Sequence, residues 1–98
     1  MSAELIIAPE AQQDVDEAYC WYEDRRSGLG EEFLCCVDAC IQAICRMPDL
    51  YIVHDEYRRA LVRRFPYAVF FEYSADKVTV YSIFHTSKDP KKWHSRLM

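Results

Sequence analysis

The sequence predicts an α+β domain with the element order β-α-α-β-β-β, a helical hairpin packed on a mainly antiparallel sheet. Three observations carry this expectation. In the first half, apolar residues recur at helical spacing on both sides of Gly28 and Gly30, the only glycines in the chain. After Tyr51 the pattern changes to short segments rich in aromatic and β-branched residues. Those segments are separated by turn signals at Phe65-Pro66 and at Ser74-Ala75-Asp76-Lys77.

Each element follows in order. Leu5-Ile6-Ile7-Ala8 is a short apolar run ended by Pro9 and reads as a strand. Pro9 suits the first turn of a helix, where its missing N–H is no loss. Glu10, Asp14, Asp16 and Glu17 then sit near the positive end of that helix dipole. Ala11, Val15, Ala18 and Tyr22 define one helical face. Ser27-Gly28-Leu29-Gly30 breaks the helix. A second helix is expected from about Gly30 to Met47, with Phe33, Val37, Cys40, Ile41 and Ile44 as its apolar stripe. Pro48 stops it. So short a link predicts an antiparallel pair.

Strands are expected at Arg59–Phe65, Tyr67–Tyr73 and Val78–His85, joined as a meander. Alternation along the first of these places Arg63 and Arg64 on opposite faces. The segment Tyr67–Tyr73 is apolar on both faces, which predicts a central position. Beyond His85, the run Thr86-Ser87-Lys88-Asp89-Pro90 leads to one helical turn through Trp93. One domain, residues 1–98, accounts for the whole chain. The helical hairpin covers one sheet face and leaves the other partly open for a partner.

Composition narrows the classes. The chain is 51% apolar and 14% aromatic, as a globular protein is. No apolar run approaches the roughly 18 residues of a membrane helix. Met1-Ser2-Ala3-Glu4 lacks the layout of a signal peptide, so a soluble, cytoplasmic protein is expected. The net charge of −4 hides an asymmetry. Residues 1–50 hold 3 basic and 11 acidic side chains, whereas residues 51–98 hold 9 basic and 5 acidic. A basic half joined to an acidic half points to one anion-seeking surface, not to a general polyanion binder.

The cysteines are Cys20, Cys35, Cys36, Cys40 and Cys45, an odd count without Cys-x-x-Cys spacing. Cys36 and Cys40 share a helical face, but no histidine lies near in sequence to complete a zinc set. They read as small apolar residues of a reduced protein, with no metal and no cofactor implied.

Three stretches carry a family resemblance. Glu23-Asp24-Arg25-Arg26-Ser27-Gly28-Leu29-Gly30-Glu31-Glu32-Phe33-Leu34 resembles the helical hairpin of RelE/ParE-type toxins. Arg58-Arg59-Ala60-Leu61-Val62-Arg63-Arg64-Phe65-Pro66-Tyr67 is similar to their second strand and the turn after it. Ile83-Phe84-His85-Thr86-Ser87-Lys88-Asp89-Pro90, followed by Trp93, resembles the end of their last strand. The resemblance implies the toxin of a type II toxin–antitoxin module, with roles in growth inhibition and plasmid stabilisation. It implies a cognate antitoxin as partner and admits a homodimer or a toxin–antitoxin hetero-oligomer.

The superfamily has at least two activities, cutting mRNA on the ribosome and poisoning DNA gyrase. RNA cleavage needs a base, an acid and cations around the phosphate. Carried over from RelE-like nucleases, Arg59 keeps a cation on the second strand. Leu61 and Ala68 fall where cations are expected, and Trp93 falls near an expected tyrosine. An indole cannot titrate. Another nuclease branch uses a glutamate, an arginine and a histidine. Glu72, Arg63 or Arg64, and His85 are the candidates for those roles. ParE-like toxins resemble this chain in a histidine, a basic residue and Asp-Pro, here His85, Lys88, Asp89 and Pro90. The resemblance therefore implies a ParE-like gyrase inhibitor, with a ribosome-dependent endonuclease or an inert binding member as the alternatives. Arg58, Arg59, Arg63, Arg64, Lys88 and Trp93 are the expected target-binding residues.

Overall fold

The computed structural model describes residues 3–86. Strand β1 (Glu4–Ile7) leads directly into helix α1 (Pro9–Arg25), with Pro9 in its first turn. Helix α2 (Leu29–Arg46) folds back against α1. A 3-10 turn, Pro48–Leu50, then delivers the chain to β2 (Val53–His54), β3 (Tyr57–Leu61), β4 (Tyr67–Ser74) and β5 (Lys77–His85). The sheet order is β1-β5-β4-β3-β2, parallel between β1 and β5 and antiparallel elsewhere. The expected element order holds, with the two-residue β2 added, and β4 is central as its two apolar faces require.

The helical stripes pack as their spacing demands. Ala11, Val15, Ala18 and Tyr22 of α1 join Phe33, Val37, Ile41 and Ile44 of α2 in the main core. Val69, Phe71, Val78, Val80 and Ile83 meet them from the sheet. Cys40 is only half-buried, and Cys45 is the cysteine that enters the core. On β5 the register skips Tyr81, so Phe71 opposes Val80 while Phe70 opposes Ser82. That bulge keeps Val80 and Ile83 on the helix-facing side although their spacing is odd. Ala68, Phe70 and Phe84 form a second buried cluster; β-alternation places it on the opposite face.

One strand is shorter than expected. The segment read as a strand from Arg59 to Phe65 leaves the ladder after Leu61. Phe65 turns into the core, 8% exposed, and Arg64 adopts φ 71° to allow it. Tyr67 N–H donates to the Phe65 carbonyl at 2.8 Å, and Val62 N–H donates to the Tyr67 carbonyl at 2.9 Å. Arg63 and Arg64 are therefore turn residues, and strand alternation does not divide them. The other tight turn is as expected. Ala75 and Asp76 both have positive φ, 53° and 61°, as a two-residue hairpin loop requires.

Two carboxylates fix how the layers meet. Glu23, near the end of α1, accepts from Gly28 N–H through Oε2 and from Gly30 N–H through Oε1, each at 2.9 Å. These N–H groups open α2, where helical partners are missing. Gly30 also permits close helix contact, since a Cβ there would meet Tyr19 Cδ2 at 2.8 Å. Asp14 Oδ2 accepts from Ile83 N–H at 3.0 Å, beyond the last residue of β1. Removing either acceptor orphans a part-buried donor. We expect Glu23→Ala and Asp14→Ala each to lower stability by about 1–3 kcal/mol in urea unfolding, with Glu23→Gln recovering part of the loss. Unchanged midpoints in both alanine variants would show that water replaces these carboxylates without cost.

Candidate functional site

The basic cluster read from the sequence separates into three environments. Arg58 lies on the helix-facing side of β3, opposite Phe71. Its Nη1 donates to the carbonyls of Tyr51 and Pro48 at 2.8 and 3.3 Å, and its Nη2 lies 3.6 Å from Asp49. The side chain is 18% exposed. Arg58 thus anchors the 3-10 turn and the segment after it. Arg59 points to the other face, opposite Phe70, and is exposed. Arg63 and Arg64 sit on the β3–β4 turn, beside α2. Arg64 Nη2 lies 3.5 Å from Glu32, and Arg63 is exposed.

The nuclease candidates do not converge. His85 pairs with Tyr67, and their rings meet edge-on at 5.2 Å. Tyr67 in turn packs on Tyr22 and Phe33, on the helix side. Burial raises the pKa of the Tyr67 phenol, helped by Tyr22 and Asp14. Glu72 is five residues along β4 from Tyr67, roughly 16 Å of strand, and faces the other way. There it accepts from the Tyr81 hydroxyl at 3.3 Å. Burial, then the Glu72 charge, pushes the Tyr81 phenol up. Leu61 and Ala68, which stand where cations were expected, are cross-strand partners on the Glu72 face. Lys88 and Trp93 lie outside the described residues.

A groove opens where α2 passes the end of β3. It encloses about 740 Å³. Cys36, Ala39, Cys40 and Ala43 form its helical wall, at the i, i+3, i+4, i+7 spacing of one face. Tyr51, Leu61, Arg63 and Arg64 form the facing wall, and Cys35 and Arg46 complete it. No carboxylate is among these lining residues. The Cys40 thiol lies 3.7 Å from the Leu61 carbonyl, and burial pushes its pKa up to about 11. The Tyr51 phenol is also raised, by burial and by Cys40, against the opposing pull of Arg46.

Next to the groove lies an apolar edge that sequence reading did not single out. Met47, Leu50, Ile52 and Val53 are 56, 69, 84 and 53% exposed, and Leu61 is 61% exposed. Strand β2 pairs only with Arg58 and Tyr57, so the outer edge of β3 from Arg59 to Leu61 has no strand beside it among the described residues. The groove itself was signalled in the sequence by the small side chains of one α2 face, and Arg46 by its place at the end of that helix. Among the described residues, no group of three or more His, Cys, Asp or Glu side chains is placed to hold a metal ion. No helix among them is long and apolar enough to cross a membrane.

Comparison with known proteins adds the following. The family model described as ParE toxin of type II toxin–antitoxin system, parDE, matches residues 5–90. No curated protein sequence matches the chain. Among solved structures, a chain of the chromosomal ParDE TA system from P. aeruginosa superposes with a TM-score of 0.78 at 12% identity. The match covers 88% of this chain and 98% of that one. At that identity the likeness is one of fold.

The separate roles of the arginines are measurable. Arg58→Ala leaves part-buried carbonyls without their donor and is expected to cost about 1–3 kcal/mol in thermal or urea unfolding. Arg59→Ala and Arg63→Ala are expected to stay within about 0.5 kcal/mol of the parent. Equal losses at all three positions would remove the distinction between anchoring and surface cations.

Proposed function

The chain belongs to the ParE toxin family of type II toxin–antitoxin systems, and from that premise we propose that it inhibits DNA gyrase by binding and is neutralised by a cognate antitoxin. The observation that carries this reading over a nuclease is the separation of Glu72 from His85. RNA cleavage requires its acid, base and cations within hydrogen-bond reach of one phosphate. Here the two titratable candidates face opposite sides of the sheet, and Arg63 and Arg64 stand on a turn beside α2. A toxin that acts by binding needs no such convergence. Its target contacts would come from Arg59, Arg63 and Arg64, with Lys88 and Trp93 following in the chain, while Arg58 holds the scaffold beneath them.

The antitoxin reading rests on the edge formed by Met47–Val53 and β3. Exposed apolar side chains there adjoin Arg46, Arg59 and Arg63. Large exposed apolar patches rimmed by polar groups mark protein interfaces. The complementary partner is an acidic, amphipathic antitoxin segment, laid on the edge as a strand or a helix. By covering the same arginines it would block target binding directly.

Expression without the antitoxin is expected to arrest growth, and the purified chain to inhibit gyrase supercoiling. Arg59→Glu with Arg63→Glu should weaken that inhibition about tenfold or more, with stability retained. His85→Ala should alter inhibition only as far as it alters binding. Ribosome-dependent mRNA cleavage that His85→Ala abolishes, with supercoiling untouched, would replace this reading with the nuclease one.

A further inference from the structure

The cysteines of this chain occupy two opposite electrostatic settings. Cys20 is exposed on α1, and its four neighbours at i±3 and i±4 are Asp16, Glu17, Glu23 and Asp24. A carboxylate-bearing reagent is repelled there. Cys36 is half-buried in the wall of the groove, with Arg46, Arg63 and Arg64 lining the same cavity. The carboxylate one turn before it, Glu32, is already held by Arg26 at 2.8 Å and by Arg64 at 3.5 Å. Cys35 reaches the groove too, but Glu31, Glu32 and Asp38 lie at its i−4, i−3 and i+3 positions. Cys40 lies deeper, and its raised pKa keeps it the neutral, unreactive thiol at physiological pH.

We propose that the groove is a thiol-modification site. Cys36 exchanges there with a small disulfide bearing carboxylates, which the Arg46 and Arg63 guanidinium groups hold. The volume, about 740 Å³, falls in the range of small-molecule sites. Guanidinium forks bind carboxylates in paired hydrogen bonds. The Cys36 thiolate attacks one sulfur of the disulfide. That S–S bond breaks, a new one joins Cys36 to half of the reagent, and the other half leaves as a thiolate that solvent protonates. Electrons balance without a separate oxidant, and a second thiol reverses the step. The adduct fills the groove and offsets its positive charge. If the antitoxin reading above holds, it also opposes docking of an acidic segment beside Arg46 and Arg63.

The test uses the full chain and two probes, glutathione disulfide, which is net anionic, and hydroxyethyl disulfide, which is neutral. Adduct formation at each cysteine is followed by intact mass and peptide fragmentation, and the rate with the anionic probe is divided by the rate with the neutral one. This ratio cancels simple accessibility. We expect it to be about fivefold or more higher at Cys36 than at Cys20, and to survive Cys35→Ser. Arg46→Gln with Arg63→Gln should bring the Cys36 ratio down toward that of Cys20 and leave the neutral probe unaffected. Equal ratios at Cys20 and Cys36, preference for Cys35, or no effect of the arginine substitutions would each overturn the proposal. Because these rates need neither gyrase nor antitoxin, failure here is distinct from failure of the toxin reading.

Discussion

Four aromatic rings hold the two layers of this domain together. Tyr22 of α1 and Phe33 of α2 lie 5.2 Å apart, and both contact Phe65 and Tyr67, at centroid distances between 4.9 and 6.1 Å. Most of these contacts are edge-on, the geometry that ring quadrupoles prefer. Each helix of the hairpin thereby touches the same turn of the sheet. The consequences reach the surface. Phe65 can enter the cluster only if the chain abandons β3 after Leu61, and Arg64 takes a left-handed conformation that costs roughly 1–2 kcal/mol. That turn carries Arg63 and Arg64 to the side of α2, where the groove lies. The same cluster extends through Tyr67 to His85 and so fixes the end of β5.

This constraint explains which parts of the fold were legible in the sequence. Helical periodicity is a local signal, and it located Ala11, Val15, Ala18, Tyr22, Phe33, Val37, Ile41 and Ile44 correctly. The two-residue loop at Ala75-Asp76 and the central place of Tyr67–Tyr73 were equally local inferences. The end of β3 was not. Arg59 to Phe65 alternates well enough to pass for a strand, and what stops it is a long-range contact of Phe65 with both helices. Strand β2 was missed for a related reason, since two residues carry no periodicity. The roles of Glu23 and Asp14 were also hidden. Glu23 reads as one acid among many on α1, and only the hairpin brings it to the N–H groups of Gly28 and Gly30. Asp14 meets Ile83 across 69 residues of sequence.

The site shows the same division. The arginine cluster was visible as composition, but sequence proximity suggested a common role that tertiary structure does not preserve. Arg58 and Arg59 are adjacent and face opposite sides of β3, one satisfying loop carbonyls and the other meeting solvent. Arg63 and Arg64 are not split by strand alternation and stay together beside α2. Their partner in lining the groove, Arg46, comes from the end of a helix that the sequence presents mainly as acidic and apolar. Glu72 and His85 could be nominated from residue type alone, whereas whether they meet depends on the register of β4 against β5.

Charge distribution then follows from topology. Most acidic residues of the first half are carried on the helical hairpin outside its apolar inward stripes; Asp14 is turned to Ile83 N–H of the sheet, and Glu4 and Asp49 lie on β1 and the 3-10 turn. Of the described basic residues of the second half, Arg58, Arg59, Arg63 and Arg64 fall on β3 and on the turn that follows it, at the edge away from β1, while Lys77 on β5 lies 3.7 Å from Glu4 of β1. Glu32 sits at the boundary and holds Arg26 and Arg64 together, which removes the one carboxylate a turn from Cys36. Arg46 and Arg63 are left facing a cavity lined by thiols, methyl groups and a phenol, with no acid among the described residues that line it. In a molecule of net charge −4, long-range attraction for anions is weak at physiological salt, where screening acts within about 8 Å. Any preference for an anionic partner must therefore be exercised at short range, on the groove and the β2–β3 edge, where the local charge reverses the sign of the whole.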